Sequence, residues 1–399
     1  MHRNIRLMAW YNFLNDFRFY APVQVLYFTR VTGSFAAGMS VFSAAMLASA
    51  VLEVPTGVFS DMIGRKRTVV CGAVASAVSV TLYAIGGLYG MLLIGAVFEG
   101  LARSFFSGNN EALLYDTLAE TGQTETYQEF LGKISSMFQF ALASSAIIGS
   151  IVASFSFSAV MWLSVIPQVI GIFVTLRLIE PKVRSERSGN IFTHLRQAYD
   201  NLVKNPRLRP LSAASIITWS VGEAAYQFRP AFIASLWPIW AIGIARLVSN
   251  LTAAASFYLS GRLIKRFGEF PLLAGSVLYS ETLNLLALVF PTVLSPLLMG
   301  TTSIFFGVKN VALGGLMQRE FTSEQRATMG SLNSFASSLC FAIAAVVLGQ
   351  IADRFGVINA LIVASLISFI PLWLYRMAFR HVNQAATETE TAVKAADTI

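Results

Sequence analysis

The chain is a succession of long apolar runs, each about as long as a bilayer crossing, separated by short charged clusters. One crossing needs about 20 mostly apolar residues. Runs of that kind lie at 6–29, 36–58, 69–87, 90–116, 130–154, 158–179, 209–233, 239–261, 270–290, 293–317, 328–350 and 357–379. Together with their short connections they use nearly all of the 399 residues. A segment in hydrocarbon must satisfy its own backbone hydrogen bonds, and the period-two alternation of a membrane barrel is absent, so each run is expected as a helix. Composition agrees: 13% of the residues are charged, against about 25% in an average soluble domain. Glycine and proline mark the run ends at Gly86-Gly87, Pro181, Pro210, Pro238, Pro291 and Pro296.

Charge placement predicts the orientation. With the N-terminus inside, only Arg30 and Arg354 fall in outer loops, and Arg18, Arg103, Arg229, Arg246 and Lys309 fall within spans. The remaining 22 of the 29 basic residues lie on the inner side. Basic residues collect on the cytoplasmic side, so both termini are expected there, in a multi-pass protein of the cell (inner) membrane. The net charge of +8 therefore reports topology, and no nucleic-acid partner is expected. Membrane lipids and a small-molecule substrate are the expected partners of a monomer. The first run follows Arg3 and Arg6, is interrupted by Asn12, Asn15, Asp16 and Arg18, and has no small-residue cleavage site after it. It is therefore expected to be a membrane helix and not a cleaved signal.

Four segments are expected: a six-helix bundle over 1–179, a linker over 180–208, a second six-helix bundle over 209–380, and a disordered tail over 381–399. In the linker Ile191, Leu195, Ala198 and Leu202 recur at helical spacing, the pattern of an amphipathic helix lying on the inner membrane surface. The halves are weakly repeated. Gly57 and Gly64 recur 204 positions later as Gly261 and Gly268, each pair following the second run of its half.

The stretch Gly57-Val58-Phe59-Ser60-Asp61-Met62-Ile63-Gly64-Arg65-Lys66-Arg67 resembles the G-x-x-x-D-x-x-G-R-[KR] loop motif of the major facilitator superfamily. The resemblance implies an all-α membrane protein of about twelve transmembrane helices in two pseudo-symmetric six-helix bundles. It also implies that this loop latches the inner side, Arg65 pairing with an acid that ends helix four, here Asp116. Glu53-Val54-Pro55-Thr56 and Arg326-Ala327-Thr328 resemble efflux-type members. Two departures stand out. In the second copy Lys265 stands where Asp61 would and Glu269 where Arg65 would, so the latch is not carried over to that half. The proline-glycine motif of many drug exporters is missing from helix five, where only Gly149 remains.

Ionisable groups inside spans are costly and are functional candidates for that reason. At 100° per residue, Tyr11, Asn12, Asn15, Asp16 and Arg18 share one arc of about 160° on helix one. Helix seven carries Trp219, Glu223, Tyr226 and Gln227 on one face, with Arg229 at its edge. Asp16 and Glu223 are the candidate proton-coupling carboxylates. Tyr11, Asn12, Asn15, Arg18, Glu99, Arg103, Tyr226, Gln227 and Arg229 are the candidate substrate contacts. Glu99 and Arg103 are i,i+4 and are expected to pair, which leaves Arg18 and Arg229 as the freer bases. Gly57, Asp61, Gly64, Arg65 and Asp116 form the candidate gate. Glu281 with Asn284, and Lys309 with Asn310, are further polar positions within spans.

The sequence contains no phosphate-binding P-loop to draw on ATP. His2, His194 and His381 lie outside the spans, and Cys71 and Cys340 sit inside apolar runs as packing residues. No enzyme, cofactor or metal site is expected. The expected activity is proton-coupled efflux of a small molecule by alternating access. The rivals are uptake or exchange of an organic anion or phosphate ester, because Arg18 and Arg229, near matching positions of helices one and seven, resemble the paired arginines of the superfamily's organophosphate transporters, and a non-transporting sensor or lipid scramblase on the same fold.

Overall fold

The structure, a computed structural model, describes residues 3–181, 202–321 and 326–380, and every regular element among them is helical. Among the described residues, ten helical stretches are long and apolar enough to cross a membrane. The other two expected crossings are the first, which is broken, and Leu208–Leu236, which carries Arg209, Glu223 and Arg229. Most of the linker (182–201) and all of the tail lie outside the described residues.

The elements that position the site come first in the chain. The first expected crossing is not one helix. It consists of α1 (Arg3–Asp16), a break with a single 3-10 turn at Ala21–Val23, and α2 (Gln24–Thr32). The helical wheel that placed Arg18 on helix one therefore does not hold, because Arg18 stands beyond the helix end. Side chains replace the lost helical hydrogen bonds. Arg18 Nε donates to the Asn15 carbonyl at 2.9 Å, and Gln168 Nε2 donates to the carbonyls of Leu14 and Asn15 at 3.0 and 3.2 Å. Broken backbone persists at membrane depth only where protein groups satisfy it in this way.

Then follow α3 (Phe35–Ile63), α4 (Arg65–Ile85), α5 (Tyr89–Phe106), α6 (Asn109–Glu120), α7 (Tyr127–Phe155) and α8 (Phe157–Leu176). The fourth run was expected to be continuous but divides between α5 and α6, where Gly108 takes φ +66°. In the second half come α9 (Leu208–Leu236), α10 (Ile242–Phe267), α11 (Glu269–Val289), α12 (Ser295–Thr301), α13 (Phe306–Arg319), α14 (Arg326–Phe355) and α15 (Val357–Ile367). Helix resumes over 370–380. The tenth run divides at the 3-10 turn Thr302–Phe305, between α12 and α13.

Lipid is as apolar as leucine, so helices associate through close packing and not through the hydrophobic effect. Small residues make the closest contacts. A Cβ at Gly100 of α5 would stand 2.5 Å from Ala48 Cβ of α3. A Cβ at Gly149 would stand 1.8 Å from the Phe19 carbonyl oxygen, so the glycine left from the absent exporter motif is where α7 meets the break after α1. Many large hydrophobic side chains also face outward, Phe155 at 86% exposure and Tyr258 at 79%, as an apolar solvent allows.

The chain condenses into two compact units. The first comprises Met1–Arg187, Gln227–Leu247 and Ala342–Ala360. Its core includes Ile5, Met8, Tyr11, Val69, Leu113, Leu118 and Ile134. The second comprises Ser188–Tyr226, Val248–Phe341 and Leu361–Ile399, with a core around Leu208, Leu211, Leu273, Leu313, Leu316 and Tyr375.

Candidate transport site

The break after α1 carries a cluster of charge. Arg103 Nη2 and Nε donate to Glu99 Oε1 at 2.7 and 3.2 Å, the pair that the i,i+4 spacing on α5 anticipates. Arg18 Nη1 reaches the same oxygen from the α1 break at 3.2 Å. Tyr83 Oη of α4 donates to Glu99 Oε2 at 2.9 Å. One carboxylate, its side chain 5% exposed, therefore holds two guanidinium groups. Arg18 is not the freer base that spacing suggested. Its Nη2 donates to Ser76 Oγ at 3.3 Å, and Ser76 in turn donates to Gln168 Oε1 at 2.8 Å. Each member fixes the next, because a buried charge is tolerated only when it is paired and hydrogen-bonded.

Asp16 closes α1 beside this cluster. Its one side-chain hydrogen bond among the described residues is from Asn15 Nδ2 at 3.4 Å, and no arginine or lysine comes within ion-pair distance of it there. Asn12 is buried, donating to the Met8 carbonyl at 2.8 Å and exchanging amide hydrogen bonds with Asn110 of α6. Tyr11, read as a substrate-facing aromatic, is 3% exposed and packs in the core. Its neighbours are Phe106, Gly72 and Gly171, not an open face.

A second cluster gathers the loop motif. Arg65 Nη1 lies 3.2 Å from Asp61 Oδ1, and Arg65 Nε lies 3.8 Å from Asp116 Oδ2. Ser60 Oγ accepts from Arg65 Nη1 at 3.0 Å and donates to Asn109 Oδ1 at 2.7 Å. Asn109 Nδ2 donates back to the Arg65 carbonyl at 3.1 Å. The sequence reading missed Glu180, which follows span six. Its carboxylate accepts the backbone N–H of Arg65 at 2.7 Å and of Lys66 at 2.9 Å, capping the positive end of the α4 dipole. Gly64, at φ +98°, is required twice over: an L side chain rarely adopts that conformation, and its Cβ would lie 2.6 Å from Glu180 Oε1.

Residues 8–344 match the sequence model of the Major Facilitator Superfamily. The chain belongs to that superfamily. An uncharacterized superfamily transporter of Bacillus subtilis (strain 168), YxaM, is 20% identical over 370 residues, 89% of this chain and 90% of the relative. Among solved structures, the nucleoside transporter NupG superposes with a TM-score of 0.80 at 14% identity, covering 94% of this chain and 99% of its own. A bacterial homologue of the lysosomal transporter Spinster, inward-facing and unoccupied, superposes at 0.74 and 13% identity, covering 94% and 96%. At such identities the likeness establishes the fold: twelve membrane helices in two six-helix bundles.

The second copy of the superfamily loop was read as unfit for a latch because its charges are reversed. The structure nonetheless shows a pair there with reversed signs. Glu269, the counterpart of Arg65, pairs with Arg319 Nη2 at 2.8 Å, and Glu320 pairs with Arg207 Nη1 at 2.8 Å. A second residue missed in the sequence is Asp353, near the end of α14. Its carboxylate accepts from Ser34 Oγ and the Phe35 N–H, both at 2.6 Å, and from the Ala36 N–H at 3.0 Å, so it caps the start of α3. Glu223, Tyr226, Gln227 and Arg229 lie half-buried on α9, and none of them is without a partner. Gly57 has open space where its Cβ would stand, so no close helix contact requires a glycine there. Among the described residues no group of histidine, cysteine, aspartate and glutamate could hold a metal ion.

Proposed function

We infer that this superfamily transporter moves a small molecule across the cell membrane by alternating access, with protons as the coupling ion. The observation that carries the reading is the charge cluster at the broken first helix. Broken helices at membrane depth are a recurrent place for transporter substrate and ion sites. Glu99 is committed to two arginines and a tyrosine, which leaves Asp16 as the acid of this region with no ion pair among the described residues. An intramembrane carboxylate held outside a direct ion pair is the kind of group that gains and loses a proton in a transport cycle. Glu223 on α9 is the alternative carrier. The charge asymmetry supports cytoplasmic termini, and the efflux-type sequence features support outward movement. The loop clusters at Arg65 and Glu269 are suited to hold one state of the cycle.

A second reading, uptake or exchange of an organic anion, is favoured by one observation: two arginines share a single glutamate. Flux in proteoliposomes driven by an imposed pH gradient tests the primary reading. Acceleration by the gradient is the expected result. Flux indifferent to the gradient supports the exchange reading, and no flux of any solute leaves a sensor or a lipid scramblase.

A further inference from the structure

We propose that Arg103 is the residue that holds an acidic group of the substrate, a carboxylate or a phosphate, and that Arg18 and Glu99 position it. The proposal rests on the transporter reading and names the chemistry of its cargo. A guanidinium has two hydrogen-bonding forks, one along Nε and one Nη and one across both Nη atoms. Glu99 Oε1 occupies the first fork of Arg103 through Nε and Nη2. The second fork is open, since Nη1 has no hydrogen-bond partner among the described residues. Arg18 differs in this respect: its Nε, Nη1 and Nη2 are all engaged, by the Asn15 carbonyl, Glu99 and Ser76.

Exposure separates the two in the same way. The Arg103 side chain is 44% exposed, against 13% for Arg18 and 5% for Glu99. That exposure is not toward lipid. On α5 the outward apolar residue Ile94 lies about 180° around the helix from Arg103, and Val97 lies about 120° away. A charged group within a span and turned from lipid faces a water-filled cavity or another part of the protein.

Charge points the same way. Around Glu99 two positive groups meet one negative group; Asp16 stands beside them outside any ion pair among the described residues, so the cluster is balanced when Asp16 is ionised and carries one excess positive charge when Asp16 is protonated. Glu99 also fixes the Arg103 guanidinium before any ligand arrives, which lowers the entropic cost of binding. Planar, two-point recognition of carboxylate or phosphate is what a fixed arginine fork offers and lysine does not.

The test uses the purified full chain in detergent, with phenyl phosphate, benzoate and tetraphenylphosphonium as probes at matched ionic strength. The readout is thermal unfolding as a function of probe concentration. Phenyl phosphate or benzoate should stabilise the parent protein saturably. Arg103→Lys keeps a cation for Glu99 but removes the second fork. It should keep the unliganded unfolding midpoint and lose about tenfold or more in apparent affinity, the scale of one charge-assisted contact. Arg103→Gln should lose the response altogether.

Equal anion responses in the parent and Arg103→Lys are a general salt effect and overturn the proposal. Stabilisation by tetraphenylphosphonium alone overturns it as well. Failure of the transporter reading looks different: anion binding would depend on Arg103, yet proteoliposomes would carry none of the three probes in either direction.

Discussion

The chemistry of the charge cluster turns on which groups are committed. Glu99 accepts from Arg18, Arg103 and Tyr83, so replacing it leaves two guanidinium groups without their counter-charge. Removing one partner of a buried ion pair costs about 3–5 kcal/mol. Arg103 is too exposed to contribute that in full, so Glu99→Gln is expected at the lower end, about 3 kcal/mol. The measurement is unfolding in a mixed-micelle denaturant titration. Asp16→Asn removes a titratable group while keeping shape and the hydrogen bond with Asn15. It should abolish gradient-driven flux and leave substrate exchange across proteoliposomes intact. Gradient-driven flux that survives Asp16→Asn but is lost in Glu223→Gln would move the coupling role to α9. Of these residues, Glu99 and Arg103 were legible as a pair because their spacing on one helix decides their proximity. Arg18 was not, since its partner lies 81 residues away and its place depends on where α1 stops.

Helix ends are the points of decision at the scale of elements. Glu180 caps α4, Asp353 caps α3, and Arg18 with Gln168 caps the last carbonyls of α1. Each meets a need that every helix end has, namely orphan N–H or C=O groups. Asp353→Asn retains an acceptor but loses the charge that favours a helix start, so the end of α3 should weaken by about 1 kcal/mol. A cysteine placed at Phe35 in that variant should react faster with a water-soluble maleimide, and an unchanged rate would deny the cap a role in holding this end. At the loop motif, Arg65→Ala and Asp116→Ala should each slow transport. Groups in one network couple, so the double variant should lose less than the combined single losses. Independent losses would mean that the two residues act separately. The sign-reversed pair Glu269–Arg319 should behave the same way. Its existence could not be read from the loop sequence alone, which shows only that the charges are exchanged.

For the whole molecule, the alternation of apolar run and basic loop carries the topology. With Cys71 and Cys340 removed, a single cysteine at 190 should resist a membrane-impermeant maleimide in intact cells and react once the membrane is opened. Labelling in intact cells would place the linker, and with it both termini, on the outer side. The expected boundary between the halves falls in the linker 180–208, most of which lies outside the described residues. The two compact units do not follow the sequence halves: Gln227–Leu247 and Ala342–Ala360 cluster with the first half. Apolar periodicity gives no warning of this, because a membrane helix is apolar on most of its faces and its pattern does not say which neighbour it will touch.

What the amino-acid sequence determined by itself was whatever depends on length and local spacing. That covers the helical spans, the basic loops between them, the Glu99–Arg103 pair on one helix, and the glycine-bounded loop ending in Arg65-Lys66-Arg67. A bilayer imposes length and backbone satisfaction on each segment separately, so these features need no knowledge of the partner helices. Only the tertiary structure decided the break after Asp16, the sharing of Glu99 by two arginines, the burial of Tyr11, and the caps from Glu180 and Asp353. Most of these depend on residues far apart in the chain, up to 319 positions. Side-chain donors and acceptors that distant meet only once the helices pack, and that packing is set by small-residue contacts such as Gly149 against Phe19 that hydropathy does not record.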